Sequence, residues 1–97
     1  MMLTLYRSDR GGRTRYVTVH NRQGSLFSPY CFTVIEGASV ARGRERLFSY
    51  DSAPAMDRAM QSFINERLQR GYRLLYQYFR HQEYPATRRL LETASSA

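Results

Sequence analysis

Between Ala53 and Arg70, Met56, Met60, Phe63, Ile64 and Leu68 recur at intervals of three and four, with Ala59 beside them. That period is helical, and it gathers the apolar residues into one stripe. Asp57, Arg58, Gln61, Asn65, Glu66, Gln69 and Arg70 fall on the opposite side. Asp51 or Ser52 can cap the start by accepting from a first-turn amide, and Pro54 sits where its missing N–H costs nothing. Arg67 and Arg70 suit the negative end of the helix dipole, and Gly71 can take the left-handed position that closes a helix. Such a helix does not hold itself up in water, so its stripe requires a flat apolar surface from the rest of the chain.

The first half of the chain alternates instead. Met2–Arg7 sets Leu3 and Leu5 against Thr4 and Tyr6, and Arg13–His20 sets Val17 and Val19 against Tyr16 and Thr18, the period-two pattern of strands with one buried face. Between them, Ser8-Asp9-Arg10-Gly11-Gly12 has the paired glycines of a hairpin turn. Asn21-Arg22-Gln23-Gly24-Ser25 reads as a second turn, and Leu26–Ile35 as a third strand with Tyr30, Phe32 and Val34 on one face. Pro29 cannot donate to a ladder, which implies a bulge or an edge there. Gly37–Gly43 is a small-residue loop with Arg42 embedded, Glu45–Tyr50 a fourth strand, and Tyr72–Tyr78 a last strand, although the last stretch also fits a helix.

The tail is polar and small. Arg88-Arg89-Leu90-Leu91-Glu92 has the makings of a helical turn or two, and the residues after it are expected to fray. The pattern as a whole predicts an α+β domain over residues 1–82: an antiparallel sheet of four to five strands with one helix packed across it, followed by a partly helical or frayed tail over 83–97.

Length agrees, since 97 residues hold one modest core. Charge adds more. The net charge is +7 and all fifteen basic residues are arginine, whose planar guanidinium grips phosphate in two-pronged fashion, although a genome rich in G and C produces the same bias. A polyanionic partner, nucleic acid first, is the expectation. Cys31 is the single cysteine, which rules out an internal disulfide, and no apolar run approaches 18 residues. The expected setting is the cytoplasm, without a membrane.

Several of these stretches together resemble the WGR domain, a module of many poly(ADP-ribose) polymerases and of stand-alone bacterial proteins. The likeness covers Leu3–Tyr78 and rests on the opening strand pair, the spacing of Gly37 and Gly43, Leu47-Phe48-Ser49-Tyr50 leading through Asp51-Ser52 into the helix, and Arg70-Gly71-Tyr72-Arg73 at its end. In that family a Trp-Gly-Arg triplet lies near the DNA end and its phosphate. Here the corresponding residues are Glu36-Gly37-Ala38, and the chain has no tryptophan. The resemblance therefore implies the fold and a backbone role for Gly37, but not that mode of contact with a DNA end.

Candidate binding residues follow from strand geometry. Arg42, Arg44 and Arg46 alternate into the fourth strand and so project to one side about 6.5 to 7 Å apart, a ladder for phosphates, with Glu45 on the other side. Arg13 and Arg15 form a shorter pair, and Arg70 and Arg73 flank the helix end. Each set also reads as an ordinary solvated surface. Tyr72, Tyr76 and Tyr78 have the chemistry to stack on unpaired bases, although packing with the hydroxyl at the rim is the commoner fate of tyrosine. Catalysis finds no footing: Cys31 lies in a strand, His20 and His81 are far apart, and no paired acids or phosphate-cradling glycine loop is present. No cofactor or metal is expected. The reading is a non-catalytic module that contacts nucleic-acid phosphates with little sequence preference; the alternative is a protein-interaction or accessory domain, including one that pairs with itself.

Overall fold

The computed structural model describes residues 1–21, 29–40, 42–80 and 83–95. Five strands and two helices follow in the order β1 (Met2–Ser8), β2 (Thr14–His20), β3 (Tyr30–Gly37), β4 (Arg44–Tyr50), α1 (Ala53–Gln69), β5 (Arg73–Tyr78) and α2 (Pro85–Ser95). The strands form one sheet in the order β4-β3-β2-β1-β5, and every neighbouring pair is antiparallel. This is the α+β architecture that the sequence predicts. Pro29 precedes β3, so the third strand starts after it. The expected turn at 21–25 lies largely outside the described residues, as does the expected beginning of that strand at 26–28.

One face of the sheet makes the core. Leu3, Leu5, Val17, Val19, Phe32 and Val34 point to it from the three central strands, and Met56, Met60 and Ile64 of α1 close over them. Phe32 stacks on Phe48 and on Tyr50 of β4, with ring centroids 5.3 and 5.7 Å apart. Ser52 is the residue that caps α1, its Oγ accepting from the Ala55 amide at 3.2 Å. At the other end Gly71, at φ +95°, allows the Tyr72 amide to reach back to the Arg67 carbonyl and its own amide to reach Leu68, a paired closure that only a left-handed residue permits.

Two expectations need correction. The helical turn or two expected at 88–92 is a longer helix, α2, that runs on into the stretch expected to fray from Thr93, with Thr87, Leu90, Leu91 and Ala94 at helical spacing on its inner side and Leu91 fully buried in the same core as β1 and α1. A boundary after residue 82 therefore divides nothing that packs separately. Asp57 is not on the solvent side of α1 but buried, because it caps α2: its Oδ2 accepts from the Ala86 amide at 2.9 Å, and its Oδ1 from the Thr87 amide and hydroxyl at 3.1 and 2.7 Å. Tyr72 packs against the core, the commoner of the two fates weighed for it.

Tyr84 precedes α2 at φ +48°, an uncommon conformation for a residue with a side chain, and its hydroxyl accepts from Asn21 Nδ2 at 2.6 Å. Burial pushes its phenol above the ordinary tyrosine value of 10.0; the Asn21 hydrogen bond opposes this, and the nearby Glu83 and Asp57 carboxylates add to it. Burial raises the Tyr50 phenol as well. No helix among the described residues is long and apolar enough to cross a membrane.

Two predictions follow from the α2 anchorage. Replacing the capping carboxylate in Asp57→Ala orphans two first-turn amides and leaves the Thr87 hydroxyl only the Asp57 backbone carbonyl at 3.2 Å, and is expected to lower stability by about 2 kcal/mol or more in urea denaturation, with faster hydrogen exchange at Ala86 and Thr87. A phenol raised in the folded chain holds its proton more tightly folded than unfolded. The stability it contributes is therefore intact below pH 10 and lost as pH climbs through the folded value, so denaturation midpoints should fall above pH 10 and fall less in Tyr84→Phe.

Candidate functional site

Antiparallel connection brings three turns to the same end of the sheet: the β1–β2 hairpin, the β3–β4 loop and the passage from α1 to β5. Each is shaped by local chemistry. Asp9 Oδ1 accepts from the Gly11 and Arg13 amides, both at 2.9 Å, and so spends its charge inside the hairpin. In the β3–β4 loop a Cβ on Gly43 would lie 2.0 Å from the Glu36 carbonyl oxygen, and one on Gly37 would lie 2.4 Å from that of Arg42. Only glycine fits at either position, and the close approach holds Arg42 and Arg44 beside Glu36.

Ten of the fifteen arginines lie on these turns or on the strand and helix ends that enter them: Arg7, Arg10, Arg13 and Arg15; Arg42, Arg44 and Arg46; Arg67, Arg70 and Arg73. Four of the eight carboxylates share this end, Asp9, Glu36, Glu45 and Glu66, so six of the seven surplus positive charges of the chain gather here. Among the described residues, Arg7, Arg10, Arg13, Arg15, Arg42, Arg44 and Arg73 have no carboxylate partner. Arg7 stands directly opposite Arg15 in the sheet register, a like-charge pair that costs stability unless an anion comes between.

The remaining three arginines are paired. Glu36 Oε1 accepts from Arg46 Nη2 at 3.1 Å and from Arg67 Nη2, with the side chains 23%, 38% and 13% exposed in that order. Arg46 lies over the Phe48 ring at 5.5 Å and Arg67 over Phe63 at 4.9 Å, so each guanidinium has an aromatic face as well. The Nε of both is buried without a hydrogen-bond partner. Arg70 pairs with Glu66 at 2.9 Å across one helical turn in an exposed contact of little energetic weight.

The alternating ladder is therefore only partly realised. Arg44 and Arg46 do share a face, but it is the face that α1 covers, and Arg46 is held by Glu36. Arg42 lies in the loop ahead of Gly43 and is exposed. Arg13 and Arg15 are exposed and line a groove of about 510 Å³ with Asp9, Thr14, Tyr16 and Ala38. Arg73 opposes Tyr6 and so faces the other side of the sheet. Sequence reasoning passed over Arg7 and Arg10, although the hairpin register sets Arg7 beside Arg15, and it assigned Arg67 to the helix dipole when its partner is Glu36.

Elsewhere, His20 and Cys31 are buried on the sheet face away from the helices, and no group of metal-binding side chains occurs among the described residues. Compared with protein-family models, with curated proteins and with solved structures, the chain finds no match.

Glu36 is the carboxylate that neutralises two arginines of this end in a partly buried setting. Glu36→Gln leaves two half-buried guanidiniums without a counter-charge and should lower stability by about 1 to 3 kcal/mol, less than a fully buried pair because all three side chains keep some solvent. Adding Arg67→Met should restore part of the loss; a Glu36→Gln protein as stable as the parent in chemical denaturation contradicts the account.

Proposed function

We propose that the arginine-rich end of the sheet is a non-catalytic nucleic-acid-binding surface that works through arginine-to-phosphate contacts with little sequence preference. The observation that carries this reading is the convergence of six of the seven surplus charges on one end, with seven guanidiniums there lacking a carboxylate partner. Arginines scattered by genome composition alone would have no reason to face one another across a hairpin, as Arg7 and Arg15 do. A cytoplasmic setting suits such a module.

We read the chain as a degenerate WGR domain on the order of its elements and on the Gly37–Gly43 approach. The residue in the place of the family's tryptophan, Glu36, holds Arg46 and Arg67 internally. That supports a surface whose phosphate contacts come from the hairpin and the β3–β4 loop. A second reading, a protein-interaction or self-pairing domain, has its support in the edge strand β5, where Leu75, Tyr76 and Tyr78 are exposed.

Fluorescence anisotropy over a salt series separates the two. With four phosphates neutralised, log affinity should fall with log salt at a slope of about −3.6 for duplex DNA or about −2.8 for a single strand. Arg13→Gln with Arg15→Gln should weaken binding and flatten the slope by nearly one unit for each contact removed, whereas Arg58→Gln at the distant start of α1 should leave it unchanged. Absence of binding to duplex, nicked and single-stranded probes at low salt overturns the proposal.

A further inference from the structure

The sheet face that carries no helix has an unusual surface. Leu5 and Val17 point into the core, so their neighbours Tyr6 and Tyr16 point the other way, directly opposite each other in the register. On β5 the register places Arg73 beside Tyr6, Tyr76 beside Thr4 and Tyr78 beside Met2, all on this second face. Tyr16, Tyr6 and Arg73 thus form a row across three adjacent strands, and Tyr76 and Tyr78 continue it along the edge, one residue pair or about 6.5 to 7 Å apart.

The outer two rings are open: Tyr76 is 51% exposed and Tyr78 53%, and the irregular residue Leu75 between the two registers is 52% exposed. Beneath them the floor is closed. Thr4 and Thr18 are buried and satisfied by each other, with their hydroxyl oxygens 3.0 Å apart, and the Thr18 hydroxyl also reaches the Val40 carbonyl at 2.9 Å. Two half-exposed rings at the end of an aromatic row, over threonine hydroxyls that are already paired, make a surface built to be covered.

What covers it is indicated by the charges at its margin. The row begins at the groove that holds Arg13, Arg15 and Tyr16, passes Arg73, and ends in a cleft of about 600 Å³ lined by Met2, Tyr76, Tyr78, Arg80 and Glu83 together with Met1 and Asn21. Flat π faces spaced along a path flanked by guanidiniums match a polymer that alternates flat rings with phosphates. Duplex bases are stacked on each other and cannot reach tyrosine rings, whereas unpaired bases can. We propose that this face binds single-stranded nucleic acid, its bases stacking on Tyr6, Tyr16, Tyr76 and Tyr78 while the arginine-rich end takes the phosphates. The inference rests on the phosphate-binding reading above and adds to it the strandedness of the ligand and the residues that sense it.

The test uses fluorescence-labelled strands of about twelve nucleotides, within the range such surfaces engage: oligothymidylate, oligouridylate, a duplex, and an abasic strand with the same phosphates and no bases. Single strands should bind at least tenfold more tightly than the duplex and the abasic strand, and should quench the tyrosine fluorescence. Tyr76→Ala and Tyr78→Ala should each weaken single-strand binding by roughly 5- to 150-fold, and the corresponding Phe variants should retain it. Both rings are half-exposed, so melting curves of the alanine variants should match the parent and separate lost stacking from lost fold. Equal affinity for the abasic strand, or alanine variants that bind like the parent, overturns the stacking inference and leaves phosphate binding standing. No binding to any probe removes both. Light scattering that shows a dimer dissociated by Tyr76→Ala, and not by oligonucleotide, assigns the face to a second copy and also overturns it.

Discussion

A five-stranded sheet is too wide for one helix, and most of this molecule follows from that mismatch. Four interstrand steps of about 4.8 Å make a face about 19 Å across, while a helix with its side chains is about 10 Å thick. The stripe of α1 settles over β3 and β4, which leaves the β1 and β5 side uncovered. α2 fills the remainder, resting on α1 and β5, and two helices packed at about 8 to 10 Å match the width of the sheet. Asp57 makes the arrangement specific. A carboxylate from the first turns of α1 serves as the cap of α2, so the two helices are registered to each other by charge-assisted hydrogen bonds as well as by Leu91.

The same geometry separates the charge. Apolar rows occupy the middle of the sheet, and antiparallel connection brings three of its turns to one end, where the arginines collect. Local compensation is partial. Asp9 is absorbed by its own hairpin and Glu36 by Arg46 and Arg67, while Arg7 and Arg15 stand opposite each other and neither has a carboxylate partner among the described residues. An end of the molecule that resists its own charge is tolerable because the core is remote from it, and an arriving polyanion would relieve that repulsion.

What could be read from the chain was whatever depends on near neighbours. The stripe of α1, its cap within two residues, Gly71 at its close and the alternation of β1 and β2 all have their causes inside a window of ten residues or so. What could not be read had its cause farther away. Asp57 looks like a solvent residue until the amides of Ala86 and Thr87, about thirty positions on, are placed against it. α2 has only two leucines of its own and looks frayed without that cap. Arg46 looks free by alternation and is not, because Glu36 reaches it from the neighbouring strand, the same carboxylate that accepts from Arg67 at the helix end. Tyr72 and Tyr76 are four residues apart and of one type, yet the first joins the core while the second faces solvent, because the register shift in β5 sets Leu74 and Tyr76 on opposite faces.

The two faces of the sheet are kept dry by different means, and this difference bears on what each can do. Helices seal the first with aliphatic contact, and nothing can enter there without displacing them. The second is sealed from below. Threonine hydroxyls on β1 and β2 bond to each other and to the Val40 carbonyl, so the layer under the tyrosines asks nothing further of water. A ligand lying on Tyr76 and Tyr78 would therefore desolvate ring faces and little else, and its phosphates would stay at the margin where Arg13, Arg15 and Arg73 are already in solvent. A polar floor with open donors would charge any such ligand the full cost of leaving them unmet. Because the hydroxyls are satisfied sideways, a ligand on the open rings of Tyr76 and Tyr78 would leave neither threonine unpaired.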